Sequence, residues 1–127
     1  MRTAAQDIGD EAESLVARRL AASGWTILGR NIRVGRAEID ILAVDRGGAA
    51  WPGPTLVAVE VRWRRRRDFG LPEETVDRAK LARIRVAALS LREGAGLTGL
   101  AVPRLPLRVD LVAVEPGGRI RHHRAVG

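Results

Sequence analysis

Two segments of the sequence place carboxylates at alternate positions between apolar residues, a pattern typical of acid-bearing β-strands. In Ala37–Val44 the carboxylates are Glu38 and Asp40, and in Leu56–Trp63 the carboxylate is Glu60. Side chains alternate between the two faces of a strand, so Glu38 and Asp40 are predicted to share one face. The apolar residues predicted to share the opposite face of the first strand are Ile39, Ile41 and Ala43.

The connection between these segments, Asp45–Thr55, is rich in Gly and Pro and predicts an antiparallel hairpin rather than a crossover. If the two strands pair, Asp40 and Glu60 come within reach of one divalent cation. Oxygen ligands suit Mg²⁺ or Mn²⁺, which can activate a water molecule for attack on a phosphate. The alternative is that Glu38, Asp40 and Glu60 are solvated residues of a polar sheet face, paired with arginines. Spacing alone leaves both interpretations open.

The residue types that the sequence lacks narrow the chemistry further. There is no cysteine and no tyrosine, which excludes disulfides, thiolate metal ligands and nucleophiles of either type. The histidines are His122 and His123, which are adjacent and are predicted to be surface residues rather than ligands. Any catalysis must therefore come from carboxylates, arginines or the single lysine, Lys80.

The chain is strongly basic, with a formal net charge of +7 over 127 residues. This length predicts one domain with a hydrophobic core, and this charge favours an anionic partner, with nucleic acid as the first candidate. The densest run of arginines follows the second acidic strand and is a candidate phosphate-contacting patch, although a solvated segment is the alternative. A polar start and the lack of any bilayer-length apolar run predict a cytoplasmic protein with no membrane partner.

Hydrophobic periodicity predicts two helices around the acidic strands, in the order α-β-β-β-α-β. The predicted elements are a helix over Asp7–Ser23, strands over Trp25–Arg33, Ala37–Val44 and Leu56–Trp63, a helix over Pro72–Glu93 and a strand over Leu107–Val114. Glu11 and Glu13 flank the apolar stripe of the first helix, and either can reach toward the sheet. Periodicity does not choose between these two acids.

Motifs spread over almost the whole chain resemble the YraN family of uncharacterised bacterial proteins. They are Gly9, Glu13 and Leu20, Gly24, Asn31 and Arg33, Glu38-Ile39-Asp40, Val59-Glu60-Val61-Arg62, Arg64, Phe69-Gly70, Lys80 and Arg108-Val109-Asp110. That family is similar to small nucleases of the PD-(D/E)XK superfamily, with a layout like that of archaeal Holliday junction resolvases. The resemblance therefore implies a restriction-endonuclease-like α/β fold, with a mixed sheet flanked by helices.

The resemblance also implies roles for the acidic residues. Asp40 and Glu60 would be catalytic carboxylates that bind the metal ion. Glu13, rather than Glu11, would be the helix acid that completes the metal site. Glu38 would support the site from a position beside Asp40.

The implied roles of the basic residues include one departure with mechanistic weight. Arg62 would be the third catalytic residue, at a position where the superfamily motif has a lysine. A lysine can lower its pKa and help to activate water, whereas an arginine stays charged. A milder departure is Ala37, which replaces the glycine that usually opens the motif around Asp40. The implied nucleic-acid-binding residues are Arg64, Arg65, Arg66, Arg67 and Lys80.

Three functions follow as hypotheses. The leading one is a Mg²⁺- or Mn²⁺-dependent endonuclease that hydrolyses DNA phosphodiesters, with branched DNA among its candidate substrates. The alternative is a non-catalytic DNA- or RNA-binding module that retains the nuclease fold, and the third is a basic scaffold for an acidic protein partner. A homodimer is left open, because resolvase-like relatives cut as dimers but no exposed apolar stripe in the sequence commits this chain to one.

Overall fold

In the computed structural model, the chain forms a five-stranded sheet with helices packed on its two faces. The structure describes residues 1–48, 52–63, 71–72, 77–94 and 99–126. The elements are α1 (Ala4–Ala22), β1 (Thr26–Val34), β2 (Ala37–Asp45), β3 (Thr55–Trp63), α2 (Arg78–Arg92), β4 (Leu107–Val114) and β5 (Ile120–His123). The predicted α/β class and element order are confirmed, and β5 extends them. Neither described helix has the length and apolarity needed to span a bilayer.

The strands lie in the order β1-β2-β3-β4-β5. Neighbours pair antiparallel except β3 and β4, which are parallel and are linked through the segment that contains α2. The sheet is therefore mixed, as predicted. Because α1 and α2 cover opposite faces, every residue from Thr55 to Val61 is buried. The side of β3 that carries Ala58 and Glu60 therefore faces α2 rather than solvent.

The strict alternation predicted for β2 is wrong at Asp40. Ile41 packs in the core on the α1 side of the sheet, whereas Ile39 packs in the core on the α2 side. The residue of β1 that lies opposite Asp40 in the pairing register is Asn31, which has a φ of 51°. Ile39 and Ile41 therefore face opposite cores on either side of Asp40, at the point where the β1 partner has a left-handed backbone. Asp40 therefore lies at a local change of strand phase.

The second helix begins later than predicted. Asp77 has an extended backbone, and its side chain accepts the backbone N–H of Lys80 at 2.6 Å. This is an N-cap, so the predicted start at Pro72 is wrong, while residues 73–76 lie outside the described ranges. The residues of α2 that are buried are Leu81, Ile84, Ala87, Ala88 and Leu91. Ala79, in the first turn of α2, is exposed.

A buried ionic network joins β2, β4 and β5. Arg108 is 2% exposed and donates to Asp110 at 2.8 and 3.0 Å and to Asp45 at 2.9 Å. Nε2 of His122 lies 2.8 Å from the Asp110 carboxylate, and its ring lies 5.5 Å from that of Trp25. The prediction that His122 is a surface residue is therefore wrong. Pairing of β5 with β4 places this histidine beside the network.

Candidate functional site

Asp40 and Glu60 meet just beyond the last paired residues of β2 and β3, which are Ile41 and Val59. The backbone N–H of Val61 donates to Oδ2 of Asp40 at 2.8 Å, so a side chain takes the hydrogen bond at the end of the ladder. Glu60 is 1% exposed. The structure thus brings together the two carboxylates that the sequence places on separate strands, and it removes Glu60 from solvent.

Burial and neighbouring negative charges raise the pKa of two acids of this cluster, Asp40 and Glu13. Burial, together with the negative charges of Glu60 and Glu13, raises the pKa of Asp40 to about 8. Burial also raises the pKa of Glu13, and the positive charge of Arg30, which lies 3.7 Å from the Glu13 carboxylate, opposes that rise. Acids from α1, β2 and β3 therefore form one electrostatic cluster. Glu11 is exposed on α1.

The raised pKa of Asp40 predicts a stability effect that depends on pH. The folded protein holds the Asp40 proton up to about pH 8, whereas the ordinary pKa is 3.8. Wild type should therefore lose stability as pH rises from about 4 to about 8. Asp40→Asn cannot ionise and should be roughly 2 kcal/mol more stable than wild type at pH 8. The whole pKa shift of Asp40 sets an upper limit of about 5 kcal/mol on this difference in the free energy of unfolding.

Urea unfolding at pH 5 and pH 8 without divalent cations measures this effect. The advantage of Asp40→Asn should be larger at pH 8 than at pH 5. Glu38→Gln is the matched control, because Glu38 neighbours Asp40 but its side chain is 41% exposed. A stability gap for Asp40→Asn that is equal at the two pH values would show that Asp40 is already ionised in the folded protein.

Two cations approach the same oxygen of Glu60. Nζ of Lys80 lies 2.8 Å from Oε2 and Nε of Arg62 lies 3.1 Å from it. Lys80 belongs to α2, so the helix that crosses over the sheet delivers this ammonium group to the acid cluster. The sequence predicted a nucleic-acid contact for Lys80 and did not place it beside Glu60.

Three buried side-chain atoms of this cluster have no hydrogen-bond partner. They are Oε1 of Glu13, Oε1 of Glu60 and Nε of Arg62, which is near Glu60 without the geometry of a hydrogen bond. Buried polar atoms are nearly always hydrogen-bonded, and an unsatisfied one costs about 1–3 kcal/mol. Two acceptors and one donor left open in one place match a cation together with a phosphate oxygen.

The donor atoms fit a hard divalent cation. Carboxylate oxygens are the ligands that Mg²⁺ and Mn²⁺ prefer, and a cation would relieve the repulsion that raises the pKa of Asp40. Within the described residues, no three acidic or histidine side chains are grouped closely enough to form a complete ligand set. Asp40 and Glu60 are therefore the pair that would hold the ion, with Glu13 as a third acid of the same electrostatic cluster.

A cleft of about 340 Å³ opens onto Asp40 on the α2 side of the sheet. The basic residues that line it are Arg33, Arg36, Lys80 and Arg83. Glu38 also lines the cleft and pairs with Arg33 at 3.1 Å, so the interpretation as a solvated, arginine-paired acid holds for Glu38 but not for Glu60. Arg36 and Arg83 were not predicted as site residues, although Arg83 follows Lys80 at a spacing that places both on one helix face.

The predicted arginine patch, Arg64, Arg65, Arg66 and Arg67, lies outside the described residues. Trp63 directly precedes it and packs against the core on the α1 side. Gly9 of α1 lies against this ring, since a Cβ at Gly9 would be 3.3 Å from Nε1 of Trp63.

Fold and site together define an α/β protein with the element order of a restriction-endonuclease-like core and a buried acid cluster where β2 and β3 meet. The model of the family described as Uncharacterised protein family UPF0102 matches residues 12–114, and the chain belongs to this family, which is also called YraN. A UPF0102 protein of Symbiobacterium thermophilum is 42% identical over 117 residues, covering 90% of this chain and 88% of the relative. One of Clavibacter michiganensis is 38% identical over 114 residues, covering 88% and 85%.

Proposed function

We propose that this protein binds nucleic acid and hydrolyses DNA phosphodiester bonds with a divalent cation held by Asp40 and Glu60. The observation that carries the proposal is the set of buried, unsatisfied atoms of Glu13, Glu60 and Arg62 around a carboxyl group with a raised pKa. Strongly shifted pKa values in a cleft are a physical sign of a functional site. The basic lining of the adjoining cleft and the net charge of +7 support an anionic substrate.

The acids and the arginine of the cluster would have different roles in phosphodiester hydrolysis. Asp40 and Glu60, with Glu13 as the third acid, would hold Mg²⁺ or Mn²⁺, which when bound lowers the pKa of a coordinated water and stabilises charge on the phosphate. Nε of Arg62 is an open, permanently charged donor that can bind a non-bridging phosphate oxygen. Arg62 cannot accept a proton from water, because a guanidinium stays charged.

Lys80 is the candidate for the role that Arg62 cannot fill. Its Nζ lies 2.8 Å from Glu60, although it comes from α2 rather than from the strand motif. An ammonium group at this point can orient the attacking water and stabilise the charge that develops on the phosphate. We therefore assign to Lys80 the role that the motif lysine has in similar nucleases.

Lys80→Met is expected to lower the cleavage rate about 100-fold, a loss typical for removal of one charge-stabilising group. Arg62→Lys is expected to leave the rate within about threefold of wild type, because Lys80 already supplies the ammonium group. Single-turnover cleavage under saturating protein measures both. Two results together would assign the role to position 62 instead. Arg62→Lys alone would have to cleave faster than wild type, and the double variant Lys80→Met with Arg62→Lys would have to cleave at the wild-type rate.

A non-catalytic nucleic-acid-binding module is the second candidate. It is favoured by the ion pair between Lys80 and Glu60, which already neutralises one of the carboxylates that would hold a metal ion. Such a module would bind DNA or RNA through the basic cleft, with an affinity that is independent of divalent cations and falls with salt.

The experiment that separates the two is cleavage of end-labelled linear, single-stranded, flapped and four-way DNA by wild type. Mg²⁺, Mn²⁺ and EDTA are compared, and binding is measured in parallel by electrophoretic mobility shift. The nuclease proposal expects cleavage of at least one substrate that requires Mg²⁺ or Mn²⁺ and stops in EDTA. Tight, salt-sensitive binding without cleavage under any of these conditions would support the binding module.

A further inference from the structure

We propose that the groove beside the acid cluster, between α2 and the turn from β1 to β2, is a subsite for an unpaired nucleotide of single-stranded nucleic acid. This inference rests on the proposed nucleic-acid binding, and it names the substrate class that the site would accept. The groove has a volume of about 360 Å³. We call it the α2 groove.

The α2 groove has an apolar surface that the fold leaves uncovered. Its apolar lining residues are Val34, Ala37, Ala82, Val86 and Ala87. Val86 is 63% exposed, which is unusual for a large aliphatic side chain on a helix whose opposite face supplies the core. An exposed apolar surface next to a charged site is typical of a ligand contact.

Two guanidinium groups stand beside this apolar surface. Arg36 and Arg83 line both the α2 groove and the cleft that opens onto Asp40, so the two spaces adjoin. Within the described residues, neither arginine has an ion-pair or hydrogen-bond partner. By contrast, the other cations of the cleft are engaged, Arg33 with Glu38 and Lys80 with Glu60.

An apolar surface beside two guanidinium groups matches one nucleotide of a single strand rather than a duplex. A nucleotide presents a negative phosphate and an apolar base face, and the base face is accessible only when the base is unpaired and unstacked. A duplex presents mainly its sugar-phosphate backbone to a protein surface. A base on Val86, with its phosphate between Arg36 and Arg83, would lead the strand into the cleft at Asp40. The same path favours nucleic acid over an acidic peptide, because the groove ends at the candidate phosphodiester site.

The test is fluorescence anisotropy in EDTA with two labelled oligomers of equal length. One is oligothymidylate and the other carries abasic sites, so the two share phosphates but only one has bases. Wild type is expected to bind oligothymidylate about tenfold more tightly, in the range of a single base contact. Val86→Ser should remove most of that preference and leave the abasic affinity unchanged, whereas Val86→Phe should increase it. Because Val86 is exposed and one variant gains affinity, misfolding cannot imitate this pattern.

The arginines should act differently from Val86. Arg36→Gln and Arg83→Gln are each expected to weaken binding of both oligomers about equally, by roughly fivefold, and to make the salt dependence shallower. Arg85→Gln is the matched control. Arg85 is exposed on the same helix but lines neither the groove nor the cleft, so this variant should bind as wild type does.

Equal affinity of wild type for the two oligomers would overturn the subsite, and so would tighter binding of a duplex of the same length. Light scattering that shows a dimer for wild type and a monomer for Val86→Ser would also overturn it, because the groove would then be a contact between copies. These outcomes are separate from the fate of the proposed chemistry. A protein that prefers bases in EDTA but never cleaves DNA would contradict the nuclease and leave the subsite intact.

Discussion

Asp40→Asn and Glu60→Gln should each lower the cleavage rate by roughly 10³-fold, equivalent to about 4 kcal/mol in the activation barrier. Glu60 carries a buried, unsatisfied acceptor, and it raises the pKa of the neighbouring Asp40, so the two carboxylates are the pair that would hold the cation. Substrate binding should stay within about threefold of wild type, because removing a negative charge near a phosphate does not weaken attraction. Single-turnover cleavage and EDTA binding assays with the same substrate measure the two effects separately.

Two controls make this result specific. Glu11→Gln changes an acid of α1 that is exposed, and it should cleave as wild type does. Loss of folding cannot explain an inactive Asp40→Asn, since this variant is expected to be more stable than wild type at neutral pH. Cleavage that survives in both carboxylate variants would falsify the assignment of this cluster as the catalytic centre.

Asp110→Asn is expected to destabilise the protein by about 3–5 kcal/mol, the usual cost of breaking a buried ion pair from one side. Asp110 is fully buried and accepts hydrogen bonds from Arg108 and from the backbone N–H of Ala125, with His122 at 2.8 Å. The asparagine would remove the negative charge of Asp110 from Arg108, which is 2% exposed and also donates to Asp45. Urea unfolding at pH 7 measures the loss.

The pH dependence of this loss has a definite sign. Burial by itself raises the pKa of Asp110, but hydrogen bonds with His122, Arg108 and Ala125 outweigh burial and hold the pKa below the ordinary value of 3.8. The stabilisation is therefore fully present above about pH 4 and is lost as pH falls through the lower folded pKa. The gap between wild type and Asp110→Asn should shrink in that acidic range.

An exposed ion pair provides the comparison for Asp110. Arg104 pairs with Glu93 at 3.1 Å, but its side chain is 75% exposed, so Arg104→Gln should cost less than about 1 kcal/mol. If Asp110→Asn costs no more than Arg104→Gln, the network contributes nothing beyond a surface contact. A double variant with Arg108→Met should lose less than the sum of the single losses, because both replacements disrupt one network.

The acid-bearing strands show which structural features alternation in the sequence can predict. Alternation around Glu38 and Glu60 predicted strands close to the observed β2 and β3, and the Gly- and Pro-rich connection predicted their antiparallel pairing. Alternation could not show that Ile39 and Ile41 pack on opposite sides of the sheet. That change occurs where Asn31, which has a left-handed backbone, lies opposite Asp40 in the pairing of β1 with β2.

Burial was the property that local pattern predicted least well. A polar residue in an alternating strand is predicted to face solvent, because the pattern does not show whether a second layer covers that face. At Glu60, α2 covers it. The partial burial of His122 likewise depends on the pairing of β5 with β4 and not on its neighbours in sequence. The predicted helix start at Pro72 was wrong for a local reason. Pro72 and Asp77 are both residue types found at helix starts, and α2 has its N-cap at Asp77.

By itself, the sequence determined the family, the α/β class, the order of elements and the identity of Asp40 and Glu60 as the acids to examine, because these depend on periodicity and motif spacing. Only the tertiary structure decided that Glu60 is buried, that Lys80 pairs with it, and that Arg36 and Arg83 line both the cleft and the α2 groove. These features need residues far apart in the chain to become neighbours. Helix packing and strand register create such contacts, and no local propensity encodes them.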